Sequence, residues 1–504
     1  MTTNKFSILN AQCLILIALF AILSGCSFLN VDMENKIAVS EIDYTKTADM
    51  YQPVIGAYSK LRWPGMHWVS NILWTGRDDD MTSGRTDDQQ DALLFGYRGG
   101  YQCPNSFWGL RIAWINSYDV IRTCNSALEA LDKYAQHIQP GSQDYADYKS
   151  YRGEVITISS WMYYMMASSF GPCVLLKDNN QTRFVRSTQQ HVYEYVIAQL
   201  DSVIPDMKRM RPNQMPHQGA FTAFSAEALA ARFALLMGDY AKVETYTDDI
   251  VTNGGFSLYP DYYDLFKIPG KLCDESLMEV QVTDFGLTTG DYIGIDQWYV
   301  SQGASLKGTV GSEQIDIAGW NFCQYNTRFV DWCKARGETT RLEVSCLQTG
   351  DKTRDNFTVT SSGIFNGKAM LPYDQMTGGN TEWGRNNNVR LLRYAEVLLM
   401  NAEAKVRNGK SGDAPFNEVR TRANMPTVNG VTLEDILDER RIELCSEWGL
   451  RYTDLVRTGK AEAVLNDPAL VRDQANGEWT PAKAWWPVPG DQLTNLPDLA
   501  LDPE

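Results

Sequence analysis

Carboxylates and indoles are the side chains of this sequence whose placement bears most directly on chemistry. Glu439, Glu443 and Glu447 recur at four-residue spacing beside Arg440 and Arg441, with Arg451 and Arg457 further on. Two carboxyls that cleave a glycosidic bond must flank it, roughly 5–9 Å apart, and usually face each other across a cleft. Side chains at i and i+4 of a helix instead share one face, where charge pairing is the expected role. The set therefore reads as scaffold salt bridges. Asp78, Asp79 and Asp80 follow Trp74-Thr75-Gly76-Arg77. Calcium takes about 6–8 oxygens, but adjacent side chains diverge and no D-x-D-x-D-G spacing is present. A solvated turn, or hydrogen bonds from Asp79 to a ligand, is expected ahead of a metal.

The 14 tryptophans divide unevenly. Trp63, Trp68 and Trp74 fall close together, no Trp lies between 162 and 297, and Trp298, Trp320, Trp332 and Trp383 sit in a stretch rich in glycine. A pyranose has an apolar face of C–H groups and a rim of hydroxyls. It stacks on a flat aromatic ring while Asp, Asn or Arg side chains take the hydroxyls. On that chemistry Trp68, Trp74, Asp79, Trp298, Trp320 and Trp383 are the candidate ligand-binding residues, although any one of these indoles also suits core packing. The 4 histidines are scattered, with no H-E-x-x-H and no G-x-S-x-G, and no glycine-rich phosphate loop follows a strand. Catalytic residues, a metal and a cofactor are therefore not assigned.

The N-terminus carries a third signal. Lys5, an apolar run from Leu14 to Leu23 and the sequence Leu23-Ser24-Gly25-Cys26 describe a secretory signal. A run of that length spans about 15 Å as helix, roughly half a hydrocarbon core, so it is not a transmembrane anchor. L-S-G-C resembles the bacterial lipobox, which makes Cys26 the lipidation site, residues 1–25 a signal peptide and residues 26–45 a lipid-anchored tether. Several acyl chains, at ~0.8 kcal/mol per buried CH₂, hold a protein on a membrane almost permanently. The other cysteines form no C-x-x-C pair and read as buried free thiols, with any disulfide left open.

The chain of 504 residues is 44% apolar and carries a net charge of −16. That composition describes a globular chain, and the acidic balance argues against nucleic-acid binding. Its elements are mostly helical. From Ser225 to Val251, apolar residues recur at three- and four-residue spacing and Gly238-Asp239 interrupts them, which predicts a helical hairpin. The same pattern predicts helices over Glu154–Phe170 with Gln190–Ile204, over Leu391–Val406 with Ala414–Ala423, and over Trp108–Leu131. Small alanines at the contact positions suit tetratricopeptide-like hairpins of degenerate repeat, four in all. Residues of about 256–388 form an irregular, loop-rich region between hairpin blocks at about 46–255 and 389–465.

Several segments in order resemble the SusD/RagB family of outer-membrane lipoproteins. They are V-R-L-L-R-Y-A-E-V-L-L-M-N-A-E-A at Val389–Ala404, F-N-E-V-R-T-R-A at Phe416–Ala423, E-R-R-I-E-L-C-S-E-W-G-L-R-Y-T-D-L-V-R at Glu439–Arg457 and W-W-P-V-P-G-D-Q-L at Trp485–Leu493. R-G-E at Arg152–Glu154, F-G-P at Phe170–Pro172 and the hairpin at Ala223–Tyr240 join them. Trp448 before Gly449 and the tail Leu501-Asp502-Pro503-Glu504 depart from the family pattern. The resemblance implies a mostly α, SusD-like fold over 46–504 with four such hairpins. It implies a surface-exposed, non-enzymatic outer-membrane lipoprotein that binds oligosaccharide or polysaccharide and delivers it to a SusC-like TonB-dependent transporter. It places ligand contacts in the N-terminal segment and the loop insertion. Two other readings stay open: a peptide-binding lid on the same scaffold, and, from another class, a surface glycoside hydrolase.

Overall fold

Helices α1 (Gln52–Lys60) and α2 (Trp68–Thr75) lead into a short strand, β1 (Met81–Thr82), and then into two long helices, α3 (Trp108–Ala135) and α4 (Gln143–Phe170). The structure is a computed structural model; it describes residues 42–84, 101, 103–283, 304–319, 321, 323–376, 386–469 and 478–504. The signal segment, Cys26, Trp298, Trp320 and Trp383 lie outside the described residues. Helix α4 starts at Ser142, whose hydroxyl accepts the Tyr145 N–H at 3.2 Å. Its C-terminal part is buried on all sides because α3, α5 (Gln189–Val203) and α6 (Ala223–Met237) pack around it.

Local sequence dictates α6 most plainly. Thr222 caps its first turn by accepting the Ser225 N–H, and Ala226, Ala230 and Ala234 are fully buried, so α7 (Tyr240–Asn253) lies close against it. Gly238 ends α6 at φ +73°, a left-handed conformation that suits glycine. Asp239 then accepts the Lys242 N–H to start α7. The break expected at Gly238-Asp239 is where the structure has it.

The middle of the chain is strand-rich and short-helical. It contains β2 (Ser276–Val280), β3 (Leu306–Val310), β4 (Glu313–Ile317), β5 (Gln324–Tyr325), α8 (Thr327–Ala335), α9 (Thr340–Ser345), β6 (Cys346–Gln348), β7 (Thr358–Val359) and β8 (Ile364–Asn366). The order β1-β5-β8-β6 makes one small sheet, and β4-β3-β7 another. Strand β9 (Val389–Arg393) pairs antiparallel with β2, from Ser276 opposite Arg393 to Val280 opposite Val389. It runs directly into α10 (Tyr394–Arg407), α11 (Asp413–Arg422), α12 (Leu433–Glu443), α13 (Leu450–Arg457) and α14 (Ala461–Leu465).

The helix expected from Leu391 therefore starts at Tyr394. The preceding V-R-L-L-R is buried on both faces, which suits a covered strand, and the pairing with β2 decides between two patterns that periodicity alone leaves close. A second difference concerns Glu447. Helix α12 ends at Glu443, and Glu447 sits in a turn where Ser446, Trp448 and Gly449 all have positive φ. Trp448, one of the departures from the family pattern, is held there by its indole N–H, which donates to Arg390 O at 2.7 Å, and by an edge contact with Trp161 at 5.2 Å.

The salt-bridge reading of the three glutamates holds, with other partners. Glu439 and Glu443 are fully buried. Arg341 bonds Glu439 at 2.5 Å and lies 3.4 Å from Glu443, and Arg420 reaches Glu439 at 2.8 Å. Arg393 bridges Glu275 at 2.6 Å, Glu443 at 3.1 Å and Glu447 at 2.7 Å, and Lys368 adds 2.8 Å to Glu447. The neighbouring Arg440 pairs instead with Asp454 at 2.7 Å. The network ties β2, β9, α11 and α12 together.

Thr47–Glu504 forms a compact unit. The eight cysteines it holds are free thiols, and all but Cys273 are buried. Among the described residues no helix is long and apolar enough to cross a membrane.

Candidate functional site

Three helices each turn a largely polar face, and a fourth an apolar one, towards a common cavity of about 660 Å³. Arg328, Asp331 and Trp332 stand at i, i+3 and i+4 on α8, while Phe329, Val330 and Cys333 are buried on its other side. Glu434, Leu437, Asp438 and Arg441 make the same kind of stripe on α12, as do Arg451, Asp454, Leu455 and Thr458 along and just past α13. Ala463 and Val464 of α14 close the wall, with Asp467 after it. The size falls within the roughly 300–1,000 Å³ of ligand clefts.

Asp79 is the candidate residue that lies in this wall. It is buried, so the solvated turn expected for Asp78–Asp80 is not what forms. Arg451 grips its carboxylate with two bonds, 2.7 Å from Nε and 3.0 Å from Nη2, and Arg441 adds a third at 3.0 Å. Burial works against the charge on Asp79, but the two guanidiniums hold its carboxyl below the ordinary value. Asp78 goes the other way. Burial, with Asp80 and Asp79 alongside, pushes it well above the usual range, and its Oδ1 accepts the N–H groups of Asp80 at 2.9 Å and Met81 at 3.0 Å. Arg77 is buried beneath them, donating to Ala484 O at 2.8 Å with its guanidinium over the rings of Tyr452 and Trp486. The acidic run is thus a clasp between the N-terminal segment and the C-terminal helices. Among the described residues no group of three or more His, Cys, Asp or Glu could hold a metal ion.

Trp332, an indole of the irregular region outside the candidate set, stands in the cavity wall. Two guanidiniums lie against its ring, Arg441 at 4.4 Å and Arg336 at 4.9 Å from the ring centre. A sugar that stacked on it would have to compete with an existing cation–π contact, so what the cavity offers is chiefly fixed polar groups. Arg441 and Arg451, expected from the sequence only as scaffold, stand in that wall too. A helical wheel holds a clue, since Arg441 is about 200° from Glu439 on α12 at 100° per residue and must face another way.

The other candidates are placed only through their neighbours. Trp68 and Trp74 belong to the backbone of α2, and their side chains lie outside what the structure describes. Trp298 lies between residues 283 and 304 and Trp383 between 376 and 386, both outside the described residues. The described chain just before the first segment and just after the second is tied by one amine, Lys271 Nζ, which donates to Val282 O at 2.7 Å and Asn386 O at 2.9 Å. Beside the segment holding Trp320, Cys323 N–H donates to Ser83 O at 3.1 Å.

Comparison with known proteins adds the family. The model of the SusD family matches residues 238–501, and that of a family described as starch-binding, associating with outer membrane, matches residues 107–235. A SusD-like protein of Bacteroides ovatus is 24% identical over 405 residues, covering 73% of this chain and 69% of that one. The fold is similar to surface glycan-binding protein A from Bacteroides thetaiotaomicron in complex with laminarihexaose, with a TM-score of 0.71 at 23% identity over 89% of this chain and 97% of that one. It is also similar to a laminarin-binding SusD-like protein, with a TM-score of 0.73 at 21% identity over 88% and 97% of the two chains. This chain belongs to the SusD family.

Proposed function

We propose that this protein captures oligosaccharide at the cell surface and delivers it, unhydrolysed, to a SusC-like TonB-dependent transporter in the outer membrane. Family membership together with a polar, ligand-sized cavity around Asp79 carries the reading. The relatives support its chemistry, since one structural neighbour holds laminarihexaose and another is a laminarin-binding protein. Cys26 provides the lipid anchor. Two sets of groups serve the sugar: the loop indoles Trp298, Trp320 and Trp383 with Trp68 and Trp74 of α2 as stacking faces, and the charged side chains beside Asp79 for hydroxyls. Rigid rings lose little entropy on binding, and a lid that must release its cargo gains nothing from very slow dissociation.

Calorimetry of the protein lacking its signal segment, against a panel of neutral and acidic oligosaccharides, tests capture. Binding without product release is expected; released product would favour the hydrolase, and binding of peptides alone would favour the peptide lid. Changing Trp298 or Trp320 to Ala should weaken sugar binding by roughly 1–3 kcal/mol where that ring stacks directly. Cys26→Ala should move the protein out of the membrane fraction, and its retention there would contradict the anchor.

A further inference from the structure

We infer that the cavity around Asp79 takes an uncharged, hydroxyl-rich stretch of glycan and turns away uronate and sulfate groups. The inference rests on the glycan reading and names the class of sugar. Every cation in the cavity wall already holds a carboxylate. Arg328 pairs with Asp467 at 2.7 Å, Arg451 with Asp79 at 2.7 Å, Arg441 with Asp79 at 3.0 Å, and Lys460 with Glu434. An anionic sugar could reach only N–H groups of cations whose charge a carboxylate already offsets, and to gain an ion pair of its own it would have to break one of these.

The balance of charge points the same way. Carboxylates outnumber cations in the wall by six to four. The surplus is compensated from behind, where Arg336 holds Asp438 at 2.9 Å and Arg440 holds Asp454 at 2.7 Å, neither of these arginines forming part of the wall. Asp331 adds an exposed carboxylate on α8. An incoming anion therefore meets a wall with no surplus of positive charge, on which the carboxylates of Asp331 and Glu434 stand exposed.

A hydroxyl meets none of these obstacles. It both donates and accepts, so it bonds to a spare carboxylate lone pair and to a spare guanidinium N–H without disturbing either partner. Arg451 uses Nε and Nη2 on Asp79, and Arg441 uses Nε and Nη2 on Asp80 and Asp79, leaving the Nη1 amines as donors. Because each pair fixes the other's geometry, these groups stand ready at little entropic cost.

The test uses the full chain without its signal segment, with a neutral β-glucan hexasaccharide series and the same sugars oxidised at C6 to uronates as probes. Calorimetry should show the neutral sugars binding at least tenfold more tightly, with little change between low and high salt. Ala463→Trp, which places an indole on an exposed position of the cavity wall, should abolish that binding, and Asp331→Lys should bring the uronates to within about threefold of the neutral sugars. Uronates that bind as tightly as neutral sugars, or a neutral affinity untouched by Ala463→Trp in a protein of normal melting temperature, would overturn the inference while leaving glycan capture intact. Failure of these probes and of the whole oligosaccharide panel to bind would overturn glycan capture itself.

Discussion

On one side of α12, Glu439 and Glu443 are fully buried against Arg341, Arg393, Arg420 and Arg422; on the other, Asp438 and Arg441 face a cavity. Both sides are built from carboxylate–guanidinium pairs at similar distances. What differs is the surroundings. In the dry network the carboxylates and guanidiniums are bonded almost entirely to one another, with Arg422 Nε left over and buried, so the groups hold strands and helices in register and present nothing to a ligand. In the cavity wall the same pairs are open on one side, and the valences they leave free are the ones a sugar hydroxyl needs. Pairing chemistry alone does not mark a site; access does.

The dry side should break first and hardest. Arg393→Met leaves Glu275, Glu443 and Glu447 without their shared cation, and removing one partner of a buried ion pair costs about 3–5 kcal/mol. Urea unfolding should show a loss of that order. A loss below about 1 kcal/mol would mean the buried network is no more consequential than a surface pair, and the contrast between the two sides would fail.

Glu154 sharpens the comparison because it is buried without a cation bonded to it. Its carboxyl accepts hydrogen bonds from Tyr51 at 2.9 Å and Tyr58 at 3.1 Å. Burial pushes its pKa up to about 8, the tyrosine bonds offsetting only part of that. Glu447, equally buried, is held at about 2, because Arg393 and Lys368 outweigh the cost of burial. The signs are opposite. The contribution of Glu154, raised above its unfolded value, is fully present below about pH 4.5 and is lost as pH rises through about 8. That of Glu447, depressed, is present above about pH 4.5 and is lost as pH falls through about 2. Glu154→Gln should therefore flatten the alkaline limb of the melting curve, gaining on the order of 4 kcal/mol on wild type between pH 5 and 9. Parallel wild-type and variant melting profiles over that range would show that Glu154 does not titrate as burial demands.

Much of the frame was legible because local signals and tertiary packing agree. Gly238 and Asp239 punctuate the α6–α7 hairpin by backbone chemistry that needs no distant partner. Leu391–Arg393 was misread because a buried five-residue strand and the first turn of a buried helix look alike, and only β2, more than a hundred residues earlier, selects the strand. Glu447 continues a four-residue spacing past the end of its helix, so the pattern gave its role as a salt bridge but not its place. In the site, Asp79 was legible as a polar group beside indoles. Its partners Arg441 and Arg451 were not, since nothing local to Asp79 marks which distant arginines the fold brings to it. Trp332 shares an α8 face with Arg328 and Asp331, a spacing visible in the sequence whose meaning depends on what stands opposite.

The smallest effect belongs to the rim of the cavity. Arg328 and Asp467 meet at 2.7 Å with side chains 44% and 39% exposed. Solvent screens such a pair, and exposed pairs contribute about 0–1 kcal/mol. A double-mutant cycle with Arg328→Gln and Asp467→Asn should therefore return a coupling below about 1 kcal/mol in unfolding experiments, several times less than the loss at Arg393. The same cycle read by sugar binding should behave differently. If the pair acts as a fixed donor and acceptor for hydroxyls, each single change leaves one of its members unpaired in front of the ligand, and affinity falls while the melting temperature stays. A coupling as large in unfolding as that of the dry network would place Arg328 and Asp467 with the frame, and the open side of α12 would lose its distinction.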